Sequence, residues 1–350
     1  MYPLKRDRRF WPNLQIAVAL IIGASALTTT EAAVISSLLG TPPIAIEVRA
    51  QPITAFDPHD PSRRRFDELE FRGGLILTSP YREFGGLSAI RIASDGAQFI
   101  SLSDHGRWFT GRLTYEGARP VGIADPIMAP ILGPDGQPLA ARGWHDTESI
   151  AEDGGTLYVG IERVNQIVRF DYGKDGLLAR GHPIPVPPGI RTLPLNKGLE
   201  ALVFVPRKQP MGGTLIAISE REVDNAGNIR AFLIGGPASG TFAIKRSKKF
   251  DISDAALLPS GDLLILERSL GWPEGLLVQI RRIHIGDVRP GAVVDGPVLF
   301  EADLRFEIDN MEGLAVHQTP TGEIVLTLIS DNNFSRVQRT ELLQFTLMGP

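Results

Sequence analysis

Pairs of acidic side chains recur along this chain of 350 residues. In each copy, an acid followed by small and apolar residues precedes a second acid at the end of an apolar run. The pairs are Glu148 with Glu162, Glu200 with Glu220, Asp254 with Glu267, Glu312 with Asp331, and a degenerate copy, Gly85–Ser88 with Asp104. Carboxylates held close together raise each other's pKa unless cations compensate them, and such oxygen ligands suit Ca²⁺. The pattern therefore predicts metal binding and acid–base chemistry.

Basic side chains lie beside several of these acids in the sequence. Arginine directly follows three of the second acids, and a lysine lies three residues before Glu200. Guanidinium and ammonium groups bind phosphate and carboxylate, so we predict that these residues hold an anionic substrate. The predicted substrate-binding residues are Lys197, Arg163, Arg221, Arg268, His105 and Arg107.

The acids themselves are divided between catalysis and metal binding. The predicted catalytic acids and bases are Glu148, Glu200 and Glu312. The predicted metal ligands, which include two asparagines beside the last acids, are Asp104, Glu162, Glu220, Asp254, Glu267, Asn310, Asp331 and Asn332. An acid at a strand end can instead bond to backbone amides of the next turn and hold the fold together, and this alternative stays open.

The spacing of the copies predicts the elements that must position them. Successive copies start 52 to 63 residues apart, and short apolar runs between them are separated by turn sequences such as Ser94-Asp95-Gly96. The second copy has room for four strands, near residues 149–152, 156–161, 165–171 and 182–186. A period of this length with strand-like units is typical of a β-propeller. We expect an all-β propeller with five clear repeats.

Closure of the ring requires strands from both ends of the chain. The run Leu342–Leu347 is the expected third strand of the last blade, and Phe71–Ser79 has the character of its outer strand. Such closure removes the open sheet edges that favour aggregation. The run Ile44–Val48 could add a strand or begin a sixth blade, so the number of blades stays open between five and six.

The propeller geometry would collect the acids at one place. The innermost strand of a blade begins at the same end of the fold at which its antiparallel neighbour ends. Both acids of each copy should therefore lie at one opening of the central channel, which we call the mouth. Eight or nine carboxylates would meet there.

The N-terminal residues are typical of an export signal. Basic residues at positions 5–9 precede an apolar run at 14–27 and then small residues. We predict a signal peptide at residues 1–33, a lead-in segment at 34–70 and the propeller at 71–350. The run is shorter than the roughly 20 residues that a membrane-spanning helix needs. The expected location is periplasmic or secreted, with no membrane span after cleavage; an uncleaved anchor is the alternative.

Composition excludes several kinds of site and partner. The chain has no cysteine, which excludes disulfides, thiolate nucleophiles and cysteine-bound zinc. Its net charge of −4, without a basic stripe, argues against a nucleic-acid partner. The run Gly86–Ile90 lacks the second glycine of a nucleophile elbow, so a serine hydrolase is poorly supported. The sequence leaves the oligomeric state open.

Several of these stretches together resemble the phytase-like family, also described as having esterase-like activity of phytase. The stretches are Phe84–Ser88, Ser103–Trp108, Asp146–Ser149, Asn196–Ala201, Leu266–Arg268, Asn310–Ala315 and Ser330–Phe334. The resemblance runs from about residue 68 to the C-terminus. It implies an exported bacterial β-propeller that hydrolyses phosphoesters or esters.

Two interpretations use the same residues. In the first, the protein is a metal-assisted hydrolase of a small phosphoester or ester, in which Ca²⁺ bound by the carboxylates activates water and an uncoordinated acid is the general base. In the second, the protein is a non-catalytic propeller that binds a ligand of the cell envelope. The sequence does not separate them.

Overall fold

The computed structural model describes residues 42–195, 197–247 and 250–349. The chain forms five antiparallel sheets in a ring, which is a five-bladed β-propeller. Each innermost strand contacts the innermost strands of the two neighbouring blades, and the five together line the central channel. The predicted all-β propeller is therefore confirmed. The predicted signal peptide at residues 1–33 lies outside the described residues.

The strands are numbered here in chain order. Before the first blade come β1 (Ile44–Ala45), β2 (Arg49–Ile53), β3 (Arg65–Phe66) and β4 (Leu69–Thr78). Blade 1 contains β5 (Leu87–Ile92), β6 (Gln98–Ser103), β7 (Arg107–Glu116) and β8 (Arg119–Pro130). Blade 2 contains β9 (Thr147–Asp153), β10 (Thr156–Ile161), β11 (Gln166–Phe170) and β12 (His182–Pro183).

The other three blades follow the same order from the channel outwards. Blade 3 contains β13 (Leu199–Phe204), β14 (Thr214–Val223), β15 (Ile229–Gly235) and β16 (Gly240–Ile244), and β20 (Val293–Val294) pairs with its outer edge. Blade 4 contains β17 (Asp251–Leu257), β18 (Leu263–Gly271), β19 (Gly275–Ile283) and β21 (Val298–Asp303). Blade 5 contains β22 (Met311–Gln318), β23 (Ile324–Ser330) and β24 (Thr340–Leu347).

Blade 5 is completed by the N-terminal part of the chain. Strand β4 pairs antiparallel with β24 and becomes the fourth strand, and β2 pairs with the other edge of β4. Strand β1 extends the outer edge of blade 1 by pairing with β8. Within the described residues there is thus no sixth blade, and the strands from residue 44 onwards extend blades 1 and 5.

Helices are few and short in the described residues. The α-helical turns are Tyr172–Asp175 and Pro188–Arg191, and the 3₁₀ turns are Leu139–Arg142, Gly176–Leu178 and Ile285–Asp287. Among the helices of the described segments, none has the length and apolar character required to span a membrane.

The hydrophobic core lies between neighbouring blades. Alternate residues of each sheet face the next sheet, so the buried apolar side chains form five clusters, one at each junction. At the junction of blades 4 and 5, Phe56 is fully buried and packs edge-on against Phe66 and Phe345. Burial of an aromatic side chain of this size stabilises the fold by about 1.5–3 kcal/mol, so this contact fixes the N-terminal segment to the ring.

Candidate functional site

A one-residue β-bulge marks the mouth end of every innermost strand. In blade 1, Leu87 pairs with Ser103 and Ala89 pairs with Leu102, so Ser88 is the extra residue. A bulge turns its extra side chain away from the regular alternation of the strand. The equivalent extra residues in blades 2 to 5 are Glu148, Glu200, Ser253 and Glu312.

The bulges correct the sequence alignment of blade 4. Here Ile252 pairs with Glu267 and Asp254 pairs with Leu266, so the extra residue is Ser253 and not Asp254. The position that holds the second acid in the other blades is likewise one residue later and is occupied by Arg268. The expected placement of Asp254 and Glu267 at the mouth is therefore wrong by one residue each.

Asp254 instead belongs to the wall of the channel. It is fully buried, and its carboxylate accepts hydrogen bonds from the Arg91 guanidinium at 3.0 and 3.3 Å and from the backbone N–H groups of Leu314 at 2.8 Å and Ala255 at 2.7 Å. These four hydrogen bonds occupy the carboxylate. We therefore leave Asp254 out of the candidate metal site.

Glu267 is paired with residues of its own blade. Its side chain is fully buried and accepts hydrogen bonds from Arg281 at 2.6 and 2.7 Å and from the amide of Gln279 at 2.7 Å. This is a buried ion pair between β18 and β19. Glu267 also has no place in the candidate metal site.

Eight carboxylates line the mouth, and we call them the mouth acids: Asp104, Asp146, Glu148, Glu162, Glu200, Glu220, Glu312 and Asp331. Two triplets among them have carboxylate oxygens within 4.8 Å of one another. One triplet is Asp146, Glu148 and Glu162, and the other is Glu162, Glu200 and Glu220. Glu162 is common to both, so the closest approach of the acids lies on blades 2 and 3.

Asp146 was not among the predicted site residues. It lies in the loop that enters blade 2, with φ of 66°, and its backbone N–H donates to the carbonyl of Asp104. Its own carbonyl accepts from the N–H of Glu162 at 2.9 Å. Asp tolerates this left-handed conformation better than most residues. Its place just before Glu148, in a loop at the mouth end, was the sequence signal.

Arg268 lies among the mouth acids. Its Nη2 lies 3.0 Å from Glu312 and 3.6 Å from Glu220, so it bridges blades 3 and 5. Glu312 also accepts a hydrogen bond from the Asn310 amide at 2.9 Å. Both bonds to Glu312 fall on Oε1, which leaves Oε2 without a partner among these groups.

Burial and mutual repulsion raise the pKa values of the mouth acids. Desolvation, followed by the charge of Asp146, raises the pKa of Asp104 to about 7. Desolvation likewise raises the pKa of Asp331 to about 7, and that of Glu220 to about 7 although Arg268 opposes the shift. Desolvation and the neighbouring carboxylates also raise the pKa values of Glu148 and Glu200 well above the usual range.

Glu148 and Glu200 differ from the other mouth acids in their surroundings. No hydrogen-bond donor or ion-pair partner among the described residues reaches either carboxylate, and Glu200 is only 8% exposed. A buried carboxylate without a donor is costly. Together with Glu162 and Glu220 they form an oxygen donor set of the kind that hard divalent cations such as Ca²⁺ prefer. The residues present therefore fit the metal that was predicted.

Two glycines make room for the acids. A Cβ on Gly198 would lie 2.1 Å from Cγ of Glu162, and one on Gly86 would lie 2.0 Å from Oδ1 of Asp104. The N–H of Gly198 also donates to Glu162 at 3.0 Å. Glycine at these positions lets the backbone approach the carboxylates closely and orient them.

The other predicted substrate-binding side chains lie at or near the rim and are engaged by neighbours. Lys197 pairs with Glu222 at 3.2 Å, Arg163 with Asp146 at 2.9 Å, and Arg107 with Glu83 at 2.9 Å. Arg221 pairs with Glu220 at 2.9 Å. His105 stacks on Phe334 with ring centroids 4.1 Å apart.

Asn332 and the two mouth serines hold the blades together. The Asn332 side-chain oxygen accepts from the N–H of Gly86 at 3.0 Å and of Phe334 at 3.1 Å, so both of its lone pairs are used. Ser88 donates to the carbonyl of Thr147 at 2.6 Å, and Ser253 donates to that of Met311 at 3.0 Å. We therefore leave Asn332 out of the metal set, and neither hydroxyl is poised as a nucleophile.

Solved structures similar to this one share little sequence with it. The glutaminyl cyclase of Myxococcus xanthus is 11% identical, with a TM-score of 0.35 over 74% of this chain and 96% of that chain. A structure of U3-55K is 11% identical, with a TM-score of 0.38 over 76% and 96% of the two chains. Similarities of this size carry no functional argument.

Comparison with sequences gives one clear assignment. No curated protein matches the chain. The model of the Phytase-like family, described as "Esterase-like activity of phytase", matches residues 82–334, which contain all eight mouth acids and Arg268. The chain belongs to the Phytase-like family.

Proposed function

We propose that the protein is an exported, metal-assisted hydrolase of phosphoesters or esters whose active site is the mouth. The observation that carries this proposal is the pair of unpartnered carboxylates, Glu148 and Glu200, next to Glu162 and Glu220 on blades 2 and 3. A divalent cation would compensate this charge, which no group of the described residues neutralises by direct contact. The family description is consistent with ester hydrolysis.

The proposed cation ligands are Glu148, Glu162, Glu200 and Glu220, with Asp146 at the edge of the set. Bound Ca²⁺ would polarise a phosphoryl or ester oxygen and lower the pKa of a water molecule. The chain supplies the geometry, because Gly198 and the strand bulges fix the carboxylates before a ligand binds. Because these side chains are already held in place, little conformational entropy is lost when they bind a cation.

Glu312 is the proposed general base. Arg268 and Asn310 hold its Oε1, so Oε2 can accept a proton from the attacking water. Burial raises the pKa of Glu312, which brings the group towards the range in which general bases act. Asp104 and Asp331, with pKa values of about 7, can take up or return protons at the blade 1 side of the mouth.

Arg268 is the proposed anion-binding residue. Its guanidinium lies between Glu220 and Glu312 and faces the cation ligands of blade 3. Negative charge that develops on a phosphoryl or carbonyl oxygen between the metal and Arg268 would be stabilised from both sides. Arg163, Arg221 and Lys197 act further out, where they attract anions to the rim.

Ligand binding without catalysis is the second candidate. The observation that favours it is that the hydroxyl groups of Ser88 and Ser253 donate hydrogen bonds to backbone carbonyls, so neither is free to act as a nucleophile. Hydrolysis at the mouth would then depend entirely on an activated water molecule. The two candidates share the metal site and differ only in turnover.

The deciding experiment is calcium-dependent thermal unfolding combined with a hydrolysis screen. For wild-type protein, Ca²⁺ at a hundredfold excess over its Kd should add about 2.7 kcal/mol of stability. Glu200→Gln and Glu148→Gln remove charged ligands but keep size, so the calcium-dependent stabilisation and the hydrolysis of phosphomonoester, ester and lactone substrates should fall together. Glu152→Gln is the matched control, since Glu152 has a pKa raised by burial but lies at the opposite end of β9.

Three results are distinguishable. A wild-type melting temperature that does not respond to Ca²⁺ would contradict the metal site. Calcium-dependent stabilisation without turnover of any substrate class would favour the binding protein over the hydrolase. Equal effects of Glu200→Gln and Glu152→Gln would show that the acids of the mouth only support the fold.

A further inference from the structure

The most exposed large apolar side chains of the described residues all lie at the mouth end of the propeller. They are Trp272, Val337, Leu270 and Leu195, with exposed fractions of 93%, 89%, 77% and 71%. Loops that enter an innermost strand, and loops that join a second strand to a third, lie at this end of the fold, and all four residues are in such loops or strand ends. The most exposed apolar side chains are therefore concentrated around the mouth.

Two of these side chains belong to a hairpin that rises beside Arg268. Strands β18 and β19 continue beyond Arg268 to Gly271 and Gly275, so Trp272 at the tip lies about 13 Å along the strand from Arg268. Leu304, which is 62% exposed, meets this hairpin near its tip, because a Cβ on Gly275, in the last pair before the turn, would lie 3.4 Å from its Cδ1. We call Leu270, Trp272 and Leu304 the apolar ledge.

The ledge stands on the blade that contributes none of the eight mouth acids. Blade 4 is the blade in which Ser253 and Arg268 replace the two acids of the repeat. Both close triplets of carboxylates lie on blades 2 and 3. The mouth is therefore polarised into a cation-binding side on blades 2 and 3 and a side on blade 4 that presents Arg268 and the apolar ledge.

This arrangement is the reverse of a protein–protein interface. Such interfaces have an apolar centre and a polar rim, whereas here the centre is charged and the apolar side chains lie in the loops at its edge. It matches a single ligand with a charged group at one end and an apolar group at the other. A bilayer surface fits less well, because it would bring all eight mouth acids against the lipid headgroups.

We infer that the ligand of the mouth is an amphiphilic phosphate ester, dispersed as single molecules, whose phosphate binds between the cation ligands and Arg268 while its acyl or aryl group lies on the apolar ledge. This inference rests on the proposed function and adds the substrate class to it. Exposed Trp and Leu side chains gain free energy when they contact an apolar chain, so affinity should rise with chain length.

The test uses methyl-, hexyl- and decylphosphonate, which cannot be hydrolysed, below their aggregation concentrations and with calcium-loaded protein. Calorimetry should show decylphosphonate binding at least tenfold more tightly than methylphosphonate. Trp272 is a natural reporter because it is the most exposed tryptophan of the described residues, whereas Trp108 is fully buried and Trp144 is half-buried, so its emission should shift to the blue only with the longer chains.

Variants locate the effect. In Leu270→Ser/Trp272→Ser the gain from chain length should fall at least threefold while methylphosphonate binds as before. Leu178→Ser is the matched control, because Leu178 is 59% exposed but lies in the β11–β12 connection at the opposite end. It should behave as wild type.

Four outcomes would overturn the inference: no phosphonate binds, the methyl and decyl compounds bind equally, the chain-length gain survives in the double variant, or the protein binds anionic phospholipid vesicles but not dispersed decylphosphonate. The hydrolase proposal is judged separately, since phosphonate binding requires no turnover. Chain-length-dependent binding without hydrolysis of any ester would support the apolar ledge as a binding surface and would contradict the proposed hydrolase activity.

Discussion

Arg91 and Asp254 form a bidentate ion pair inside the channel, with Nη1 3.0 Å from Oδ2 and Nη2 3.3 Å from Oδ1. The same guanidinium donates to the carbonyls of Leu202 and Leu314, both at 3.0 Å, and of Ala255 at 3.3 Å. One side chain from blade 1 thereby bonds to the innermost strands of blades 3, 4 and 5.

Loss of this pair should destabilise the whole ring. Asp254→Asn leaves the Arg91 charge without its carboxylate in a buried place, and removal of one partner of a buried pair costs about 3–5 kcal/mol. Urea unfolding would measure the loss, which should be the same with and without Ca²⁺. The exposed pair Arg305–Asp303 provides the control, and Asp303→Asn should cost at most about 1 kcal/mol. A calcium-dependent loss for Asp254→Asn would return Asp254 to the metal site.

The metal-free protein should become less stable as the pH rises from about 4 to about 7. Carboxyl groups of the unfolded chain titrate near pH 4, whereas Asp104, Glu220 and Asp331 keep their protons in the folded state until about pH 7. The folded state therefore binds more protons across this window, and the free energy of unfolding falls with rising pH.

Thermal melts at pH 5 and pH 8 with chelator or excess Ca²⁺ would measure this dependence. The melting temperature in chelator should be lower at pH 8, and Ca²⁺ should raise it most at that pH, because cation binding requires ionised ligands. Glu341, a buried acid with a pKa also raised to about 7 but outside the mouth, contributes to the slope that Ca²⁺ does not remove. A metal-free protein that is as stable at pH 8 as at pH 5 would contradict the prediction.

Replacement of Arg268 should separate cation binding from anion binding. Arg268→Gln removes the positive charge beside Glu220 and Glu312, so the affinity for Ca²⁺ should stay the same or increase. Methylphosphonate should bind about tenfold more weakly, since a hydrogen bond to a charged group contributes about 1.5–3 kcal/mol. Calorimetry measures both. Arg163→Gln, at a more exposed pair, should change anion binding much less, and equal losses would rule out a special place for Arg268.

A methyl group at Gly198 should disturb the metal site more than the fold. In Gly198→Ala the new Cβ would overlap Cγ of Glu162, which must move away from the position that both carboxylate triplets share. We expect the affinity for Ca²⁺ to fall at least tenfold. Gly271→Ala is the control, because the space around Gly271 is open. An unchanged affinity in Gly198→Ala would exclude Glu162 as a ligand.

The repeat in the sequence was enough to predict the ring, its closure by strands from both termini and the placement of four acid pairs or their remnants. It failed in blade 4, where Asp254-Ala255-Ala256-Leu257 resembles the other copies but is out of register by one residue. In a strand, a shift of one residue turns a side chain to the opposite face. Spacing alone does not reveal a bulge, so Ser253 and Arg268 could not be recognised as the equivalents of two acids.

Contacts between distant residues were also beyond the sequence. Arg91 has no pattern that links it to Asp254, which lies 163 positions later. The loop of Asp146 reaches the mouth through backbone bonds to Asp104 and Glu162, and such bonds leave no trace in residue types. Residue types were enough to predict the kind of chemistry. Which residues actually reach the mouth depends on the register of the strands, which residue types do not reveal.

The pairing of β4 with β24 joins residues that are about as far apart in the chain as any two in the fold. During synthesis, β4 leaves the ribosome long before its partner at Thr340–Leu347. Until then β4 can pair only with its N-terminal neighbours β2 and β3, and blade 5 cannot form. Long-range pairing of this kind slows folding. A chain that stops short of residue 340 would therefore leave the edge of β4 that pairs with β24 open, so we expect nascent or truncated chains to need a chaperone, whereas the finished ring has no open edge at that junction.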